Sequence, residues 1–187
     1  MTIALSDIRR YPVKGMSGET LDAVDVIAGE ALPHGRRFAL ANGSSGFNRA
    51  APGWMPKNHF LNLSRDEKLA QLAVHFDPET TTLTVERGGR QPMDPLRFRA
   101  NLTVTGAERW EERDWIGYDL AIGEARLRVE EPIERCAATN VDPNTATRDM
   151  NIPMVLERGF GHVEFGVYAR VTTPGTIRPG DAITFIR

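Results

Sequence analysis

Seventeen glycines and twelve prolines cut this chain of 187 residues into short runs, and that punctuation restricts the fold more than any single motif does. Most of the runs alternate apolar and polar residues, the period of a strand with one buried face, and few are long enough for a helix. The alternation predicts strands over residues 3–13, 21–27 and 34–40 in the first third of the chain. A long ordered loop rich in Gly, Ser, Asn and Pro follows over 41–62, then a capping box at Ser64 and Glu67 that opens a short helix ending near Leu69. Runs at 72–76 and 82–86 flank a turn composition and predict a hairpin. In the second half the pattern predicts a strand over 98–105, a helical turn around Trp110 and Trp115, and a hairpin at 119–122 and 125–129 turning at Gly123. A helix within 150–158 is stopped by Gly159 and Gly161, and strands at 165–171 and 182–186 complete the chain. About ten short strands with few helices and many Gly/Pro turns predict a mainly β fold, a closed or nearly closed β-barrel carrying short helical insertions.

Composition narrows the function classes. Hydrophobic residues make up 41% and charged residues 26%, ordinary proportions for a soluble globular protein. No apolar run approaches the roughly 18 residues of a membrane span, so a bilayer role is not expected. The N-terminus has neither a basic n-region nor a long apolar h-region, and with a single cysteine this predicts a reducing cytoplasm. The formal charge of -2 comes from 23 basic and 25 acidic residues mixed along the chain, which gives no footprint for nucleic acid.

The chemistry-bearing residues are few. Cys136 is the one thiol, so it is either a small core hydrophobe or a reactive thiolate. Arg135 precedes it, and the alternation that ends at Val129 gives way to a segment bounded by Pro132 and Pro143, where a bend would bring that cation to the sulfur. Lys14 sits in the turn Tyr11-Pro-Val-Lys-Gly-Met-Ser-Gly18, either as a solvated turn lysine or as an anion contact backed by glycine-rich amides. Arg36 and Arg37 open the third run, at the surface or as part of a phosphate-sized pocket facing Lys14. The four histidines, His34, His59, His75 and His162, show no metal-ligand spacing. There is no dinucleotide fingerprint, no phosphate-binding loop ending in Lys-Ser/Thr and no serine nucleophile elbow, and Glu130-Glu131 reads as a solvated strand edge.

Taken together, Tyr11-Pro-Val-Lys-Gly, Gly35-Arg-Arg-Phe, Phe98-Arg-Ala-Asn-Leu, Arg135-Cys-x-x-Thr-x-Val-Asp-Pro, Phe165-Gly-x-Tyr and Gly175-Thr-Ile-Arg-Pro-Gly-Asp181 resemble the MOSC domain family. That family is named for the C-terminal domain of molybdenum cofactor sulfurase. The likeness runs along nearly the whole chain and extends to the amidoxime-reducing molybdenum enzymes, which join an N-terminal β region to the MOSC core. The resemblance implies a β-barrel of the MOSC and pyruvate kinase barrel kind. It also implies a MOSC N-terminal-like β region over 1–90 and a MOSC core over 91–187, packed as one compact unit. It implies binding of the molybdenum-pyranopterin cofactor, with Cys136 as metal ligand and catalytic residue, or as sulfur carrier. Lys14, Arg36, Arg99, Asn101 and Arg135 match cofactor-contacting positions of the family motifs. The cations suit a phosphate, the amide of Asn101 suits a polar pterin, and a thiolate suits molybdenum already held by dithiolene sulfur.

Gly35, Ala100, Glu134 and Val167 depart from the residues common in relatives. No flavin, haem or iron-sulfur motif and no pyridoxal-phosphate region is present, so electrons would come from separate donor proteins. The first functional reading is an oxidoreductase that reduces N-oxygenated substrates; the alternative is a non-redox carrier of persulfide or cofactor on Cys136.

Overall fold

The computed structural model describes residues 2–41, 45–48, 50–51, 53–56, 60, 72–77, 82–87, 95–143 and 145–186, with backbone alone at 72–77 and 82–87. The helix expected at 64–69, His59 and part of the 41–62 loop lie outside these residues.

The protein is mainly β, with eleven strands among the described residues: β1 (Ala4–Arg10), β2 (Glu19–Thr20), β3 (Val24–Val26), β4 (Leu72–Asp77), β5 (Thr82–Arg87), β6 (Leu102–Thr105), β7 (Asp119–Ile122), β8 (Ala125–Glu134), β9 (Glu164–Thr173), β10 (Gly175–Ile177) and β11 (Ile183–Ile186). They form a four-stranded sheet in the order β11-β7-β8-β9, a three-stranded sheet β2-β1-β6, and the pairs β10-β3 and β4-β5, all antiparallel. Among the described residues no sheet closes on itself. Backbone bonds from Leu5 N to the Asp181 carbonyl and from Ile183 N to the Ile3 carbonyl tie β1 to β11, and Gly29 N bonds the carbonyl of Val171 in β9.

Alternation explains the packing of β7 and β8, while a register shift between Leu5 and Asp7 brings Leu5 and Ile8 of β1 to the same face. Leu5 and Ile8 of β1, Leu120 and Ile122 of β7, and Leu127 and Val129 of β8 turn inward and meet Ile177 and Ile183 in one apolar cluster. Each fully buried side chain of this size contributes about 1.5–3 kcal/mol, so the cluster outweighs any surface ion pair. The hairpins expected at 72–76/82–86 and at 119–122/125–129 are present, extending to 72–77/82–87 and 119–122/125–134, with Asp77 opposite Thr82 and Ile122 opposite Ala125. The helix α1 (Ile152–Phe160) is capped by Asn151, whose side chain accepts from Met154 N, and ends at left-handed Gly161.

Three expectations shift. The first strand stops at Arg10, because Tyr11 and Pro12 leave β1 and Val13 pairs in parallel with Phe38. The 34–40 run is a turn followed by that single bridge and not a strand, since His34 (φ 60) and Arg36 (φ 54) are left-handed. The 98–105 run forms a strand only from Leu102; Pro95–Phe98 is a 3-10 turn.

Candidate functional site

The thiol sits where the longest sheet lets go. Pro132 has no N–H to donate, and pairing of β8 with β9 slips between Val129 and Glu131 and again between Pro132 and Glu134. After Glu134, Arg135 N still bonds the Val163 carbonyl at 2.9 Å. Cys136 then takes an extended conformation and caps a 3-10 turn over Ala137–Asn140, its carbonyl accepting from Thr139 N (3.1 Å) and Thr139 Oγ1 (2.9 Å). The Cys136 side chain is exposed, which removes the core-hydrophobe alternative.

Arg135 is half-buried and heavily engaged. Its Nε donates to the Phe165 carbonyl at 2.6 Å and Nη1 to the Phe98 carbonyl at 3.0 Å, and the guanidinium lies 5.2 Å from the Phe98 ring centre and 5.9 Å from that of Phe165. Those two rings stack at 4.3 Å. Burial lowers its pKa, while Tyr168 and Cys136 act in the opposite direction, so arginine and thiol lie within electrostatic reach. Gly166, at φ +80, makes room: a Cβ there would come within 3.0 Å of Arg135 Nη2.

The other cations gather around Tyr11. The chain at 11–14 runs parallel to 36–38, with Arg36 N on the Tyr11 carbonyl (2.6 Å), Phe38 N on that of Pro12 (2.9 Å) and Lys14 N on that of Phe38 (2.8 Å). Val13 and Met16 are fully buried beneath, against Phe38 and Leu40. Lys14 and Arg36 thus stand exposed on adjacent extended segments. Arg99, left-handed at φ 50, lies with its guanidinium 4.3 Å from the Tyr11 ring centre and donates Nη1 to the Met16 carbonyl. A Cβ at Gly18 would come within 2.7 Å of the same ring, so only glycine leaves the ring this room.

The electrostatics of this cluster are unbalanced. Arg99 Nη2 and the Tyr11 hydroxyl are buried with no hydrogen-bond partner among the described residues. Burial, and then the charge of Arg36, push Arg99 down to about 10 against the opposing effect of Tyr11. Burial raises Tyr11 although Arg99, Arg9 and Arg36 all lower it. A buried cation facing another cation without a carboxylate is an environment that an anion relieves. Left-handed, non-glycine backbone at both Arg36 and Arg99 places strain at this same point. Asn101 is exposed and holds β1 to β6, its Nδ2 donating to the Arg9 carbonyl at 2.9 Å while its own carbonyl accepts from Arg9 N at 2.7 Å.

The thiol segment and the cation cluster meet at the Pro95–Phe98 turn, since Phe98 receives Arg135 and the next residue is Arg99. Sequence reasoning missed Arg97 in this turn. It is 5% exposed and donates Nη1 and Nη2 to the two carboxylate oxygens of Asp149 at 2.8 and 2.7 Å, and Nη2 to Asp142 at 3.2 Å. The only local signal was a second arginine two residues before Arg99. A groove of about 780 Å³ is lined mainly by residues of the 108–116 segment, among them Arg109, Trp110 and Ile116, with Pro132 of β8 and Glu164 of β9 at its side, and neither Cys136 nor the cluster cations line it. Among the described residues no three His, Cys, Asp or Glu converge as a metal site, so Cys136 would supply the protein's only sulfur to a metal that brings its other ligands with it.

The orphaned donors around Arg99 and the accessible thiol fit a ligand combining an anionic group with a soft metal. Comparison with known proteins gives the family. The MOSC domain family model matches residues 57–184. Molybdenum cofactor sulfurase of Bos taurus is 36% identical over 153 residues, covering 74% of this chain and 17% of that protein. Mitochondrial amidoxime reducing component 2 of Rattus norvegicus is 30% identical over 122 residues, covering 59% of this chain and 36% of that protein. The chain therefore spans well under half the length of either relative. Among solved structures, the YUAD protein from Bacillus subtilis superposes with a TM-score of 0.52 at 15% identity, over 98% of this chain and 94% of that one, a likeness of fold. No helix among the described residues is long and apolar enough to cross a membrane.

Proposed function

From the premise that this chain belongs to the MOSC domain family, we propose that it binds the molybdenum-pyranopterin cofactor and uses it to reduce N-oxygenated substrates with electrons from separate donor proteins. The observation that carries this reading is the Arg99 guanidinium in reach of Arg36, its Nη2 buried with no hydrogen-bond partner among the described residues, joined through Phe98 and Arg135 to an exposed Cys136. Arg99, Arg36 and Lys14 would hold the phosphate, Asn101 would face the pterin, and Cys136 would ligate the metal. When bound, the cofactor supplies a centre that accepts oxygen and exchanges electrons. The chain's own part is to hold the thiol and the cations in fixed relation and to leave the thiol accessible from solvent. Arg135 contributes by keeping a positive charge near the sulfur.

Other parts of the reading have their own support. The bonds that tie β1 to β11 and Gly29 to β9 support a barrel closed across separate sheets. One apolar cluster includes Leu5 and Val24 as well as Leu127 and Ile183, which supports an N-terminal region over 1–90 packed with a core over 91–187 as one unit. A cytoplasmic location accords with the single cysteine.

A second reading is favoured by the exposure of Cys136 and by the absence of a side-chain cap bond at that residue: a non-redox carrier of persulfide or cofactor. Elemental analysis tests the metal role. Protein from a cofactor-competent host is expected to hold near-stoichiometric molybdenum, and folded Cys136→Ser to lose most of it. Equal molybdenum in the two, or none in wild type grown with excess molybdate, removes Cys136 as metal ligand. A reductase assay with added electron-donor proteins then separates reduction from carriage.

A further inference from the structure

Cys136 is exposed and its thiol enters no hydrogen bond among the described residues, so its position is fixed from outside. On the N-terminal side it is held by Arg135, bonded to the Phe98 carbonyl. On the C-terminal side the chain forms a closed loop, with Val141 bridged to Arg148, Asp142 N on the Thr147 carbonyl and Ala146 N on the Asp142 carbonyl. Arg97 grips that loop through Asp142 and Asp149. Both anchors come from the Pro95–Phe98 turn, and the residue after the turn is Arg99 of the cation cluster. Three successive side chains of one short segment therefore engage the loop after the thiol, the residue before it, and the anion pocket.

We propose that Arg97 is a positioning residue that sets the placement of Cys136 relative to the Arg36 and Arg99 pocket. A guanidinium is suited to this because its planar fork binds one carboxylate at two points while a free N–H reaches a second. The guanidinium is 3% exposed and Asp142 14%, so that contact is shielded from water, while Asp149 at 36% meets it from the surface. The value of this placement rests on the reading of Cys136 as the functional thiol, but the placement itself does not depend on molybdenum.

The single cysteine gives a direct probe. A nitroxide attached to Cys136 is expected to show an immobilised component in the wild type, and Arg97→Met is expected to lose it while circular dichroism stays unchanged. Glu19→Gln, which breaks the buried Arg10–Glu19 pair on β1 and β2, serves as a control that destabilises without touching the loop. If Arg97→Met does not fold, Asp149→Asn removes the two-point contact from a partly exposed carboxylate and is expected to mobilise the label in the same way. A label equally mobile in wild type and variant, or mobilised equally by Glu19→Gln, overturns the proposal. Molybdenum content read on unlabelled protein from the same preparations separates the two readings, since the label itself occupies the Cys136 sulfur. Metal-free unlabelled wild type together with a label that Arg97→Met mobilises leaves the positioning role standing and removes the cofactor reading, whereas unchanged mobility with molybdenum retained in the unlabelled protein does the reverse.

Discussion

Replacing Arg99 with methionine should leave the ligand-free protein almost as stable as the wild type while abolishing its response to anions. Arg99 has its pKa pushed from the usual guanidinium range down to about 10, first by burial and then by the charge of Arg36. At about 1.4 kcal/mol per pH unit, keeping it charged in the fold costs about 3 kcal/mol. Both folded and unfolded chains bind this proton at neutral pH, so the full cost applies there and is relieved only as pH rises above about 10. Methionine removes that cost. It also removes the bond to the Met16 carbonyl, about 1.5–3 kcal/mol for a charged donor, and the contact with the Tyr11 ring, about 1 kcal/mol. The terms nearly cancel, and the expected net change is within about 1 kcal/mol, against the 2–5 kcal/mol usual for disrupting a buried, paired side chain. Urea denaturation with and without inorganic phosphate is the assay. Phosphate at a hundredfold excess over its dissociation constant should stabilise the wild type by about 2.7 kcal/mol and the variant by far less. A variant that loses about 3 kcal/mol or more yet keeps the full phosphate response would show that Arg99 is a structural cation, and would refute this reasoning.

Other perturbations probe neighbouring contacts. Tyr11→Phe removes a buried hydroxyl with no partner among the described residues and keeps the ring under Arg99, so thermal denaturation should find the variant more stable by roughly 1–3 kcal/mol; a less stable variant would mean that the hydroxyl is satisfied. The hydrogen bond from Arg97 holds the Asp149 carboxyl below its usual 3.8, so its contribution is present above that pH and is lost as pH falls through the lower folded value. Acid titration of the melting temperature should therefore show a steeper fall for wild type than for Asp149→Asn, and parallel curves would contradict the pairing. Gly166→Ala puts a Cβ within 3.0 Å of Arg135 Nη2 in left-handed backbone and should cost about 1–2 kcal/mol of stability in chemical denaturation, with slower or faster alkylation of Cys136 as Arg135 moves.

Much of this architecture is written locally. Alternation with a period of two placed hairpins at 72–76 with 82–86 and at 119–122 with 125–129, because a strand's buried face is a property of its own residues; the structure extends these strands by a few residues. Asn151 and Gly161 fixed the ends of α1 through capping and left-handed backbone, again within a few residues. The family motifs singled out Cys136 and the cations, yet the residues alone left each open between surface and site. Which of them share a neighbourhood depends on pairing across the chain. Arg99 lies over the Tyr11 ring within electrostatic reach of Arg36, and Arg97 reaches Asp142 and Asp149 across 45 and 52 residues. The strand expected over 34–40 failed for the same reason, since the chain bends at His34 and Arg36 to run beside Tyr11 and Pro12. Periodicity states which side of a residue is buried, whereas the partner of a guanidinium depends on how separate sheets are registered against one another, and that is decided only when the core at Leu5, Ile8, Leu127 and Ile183 packs.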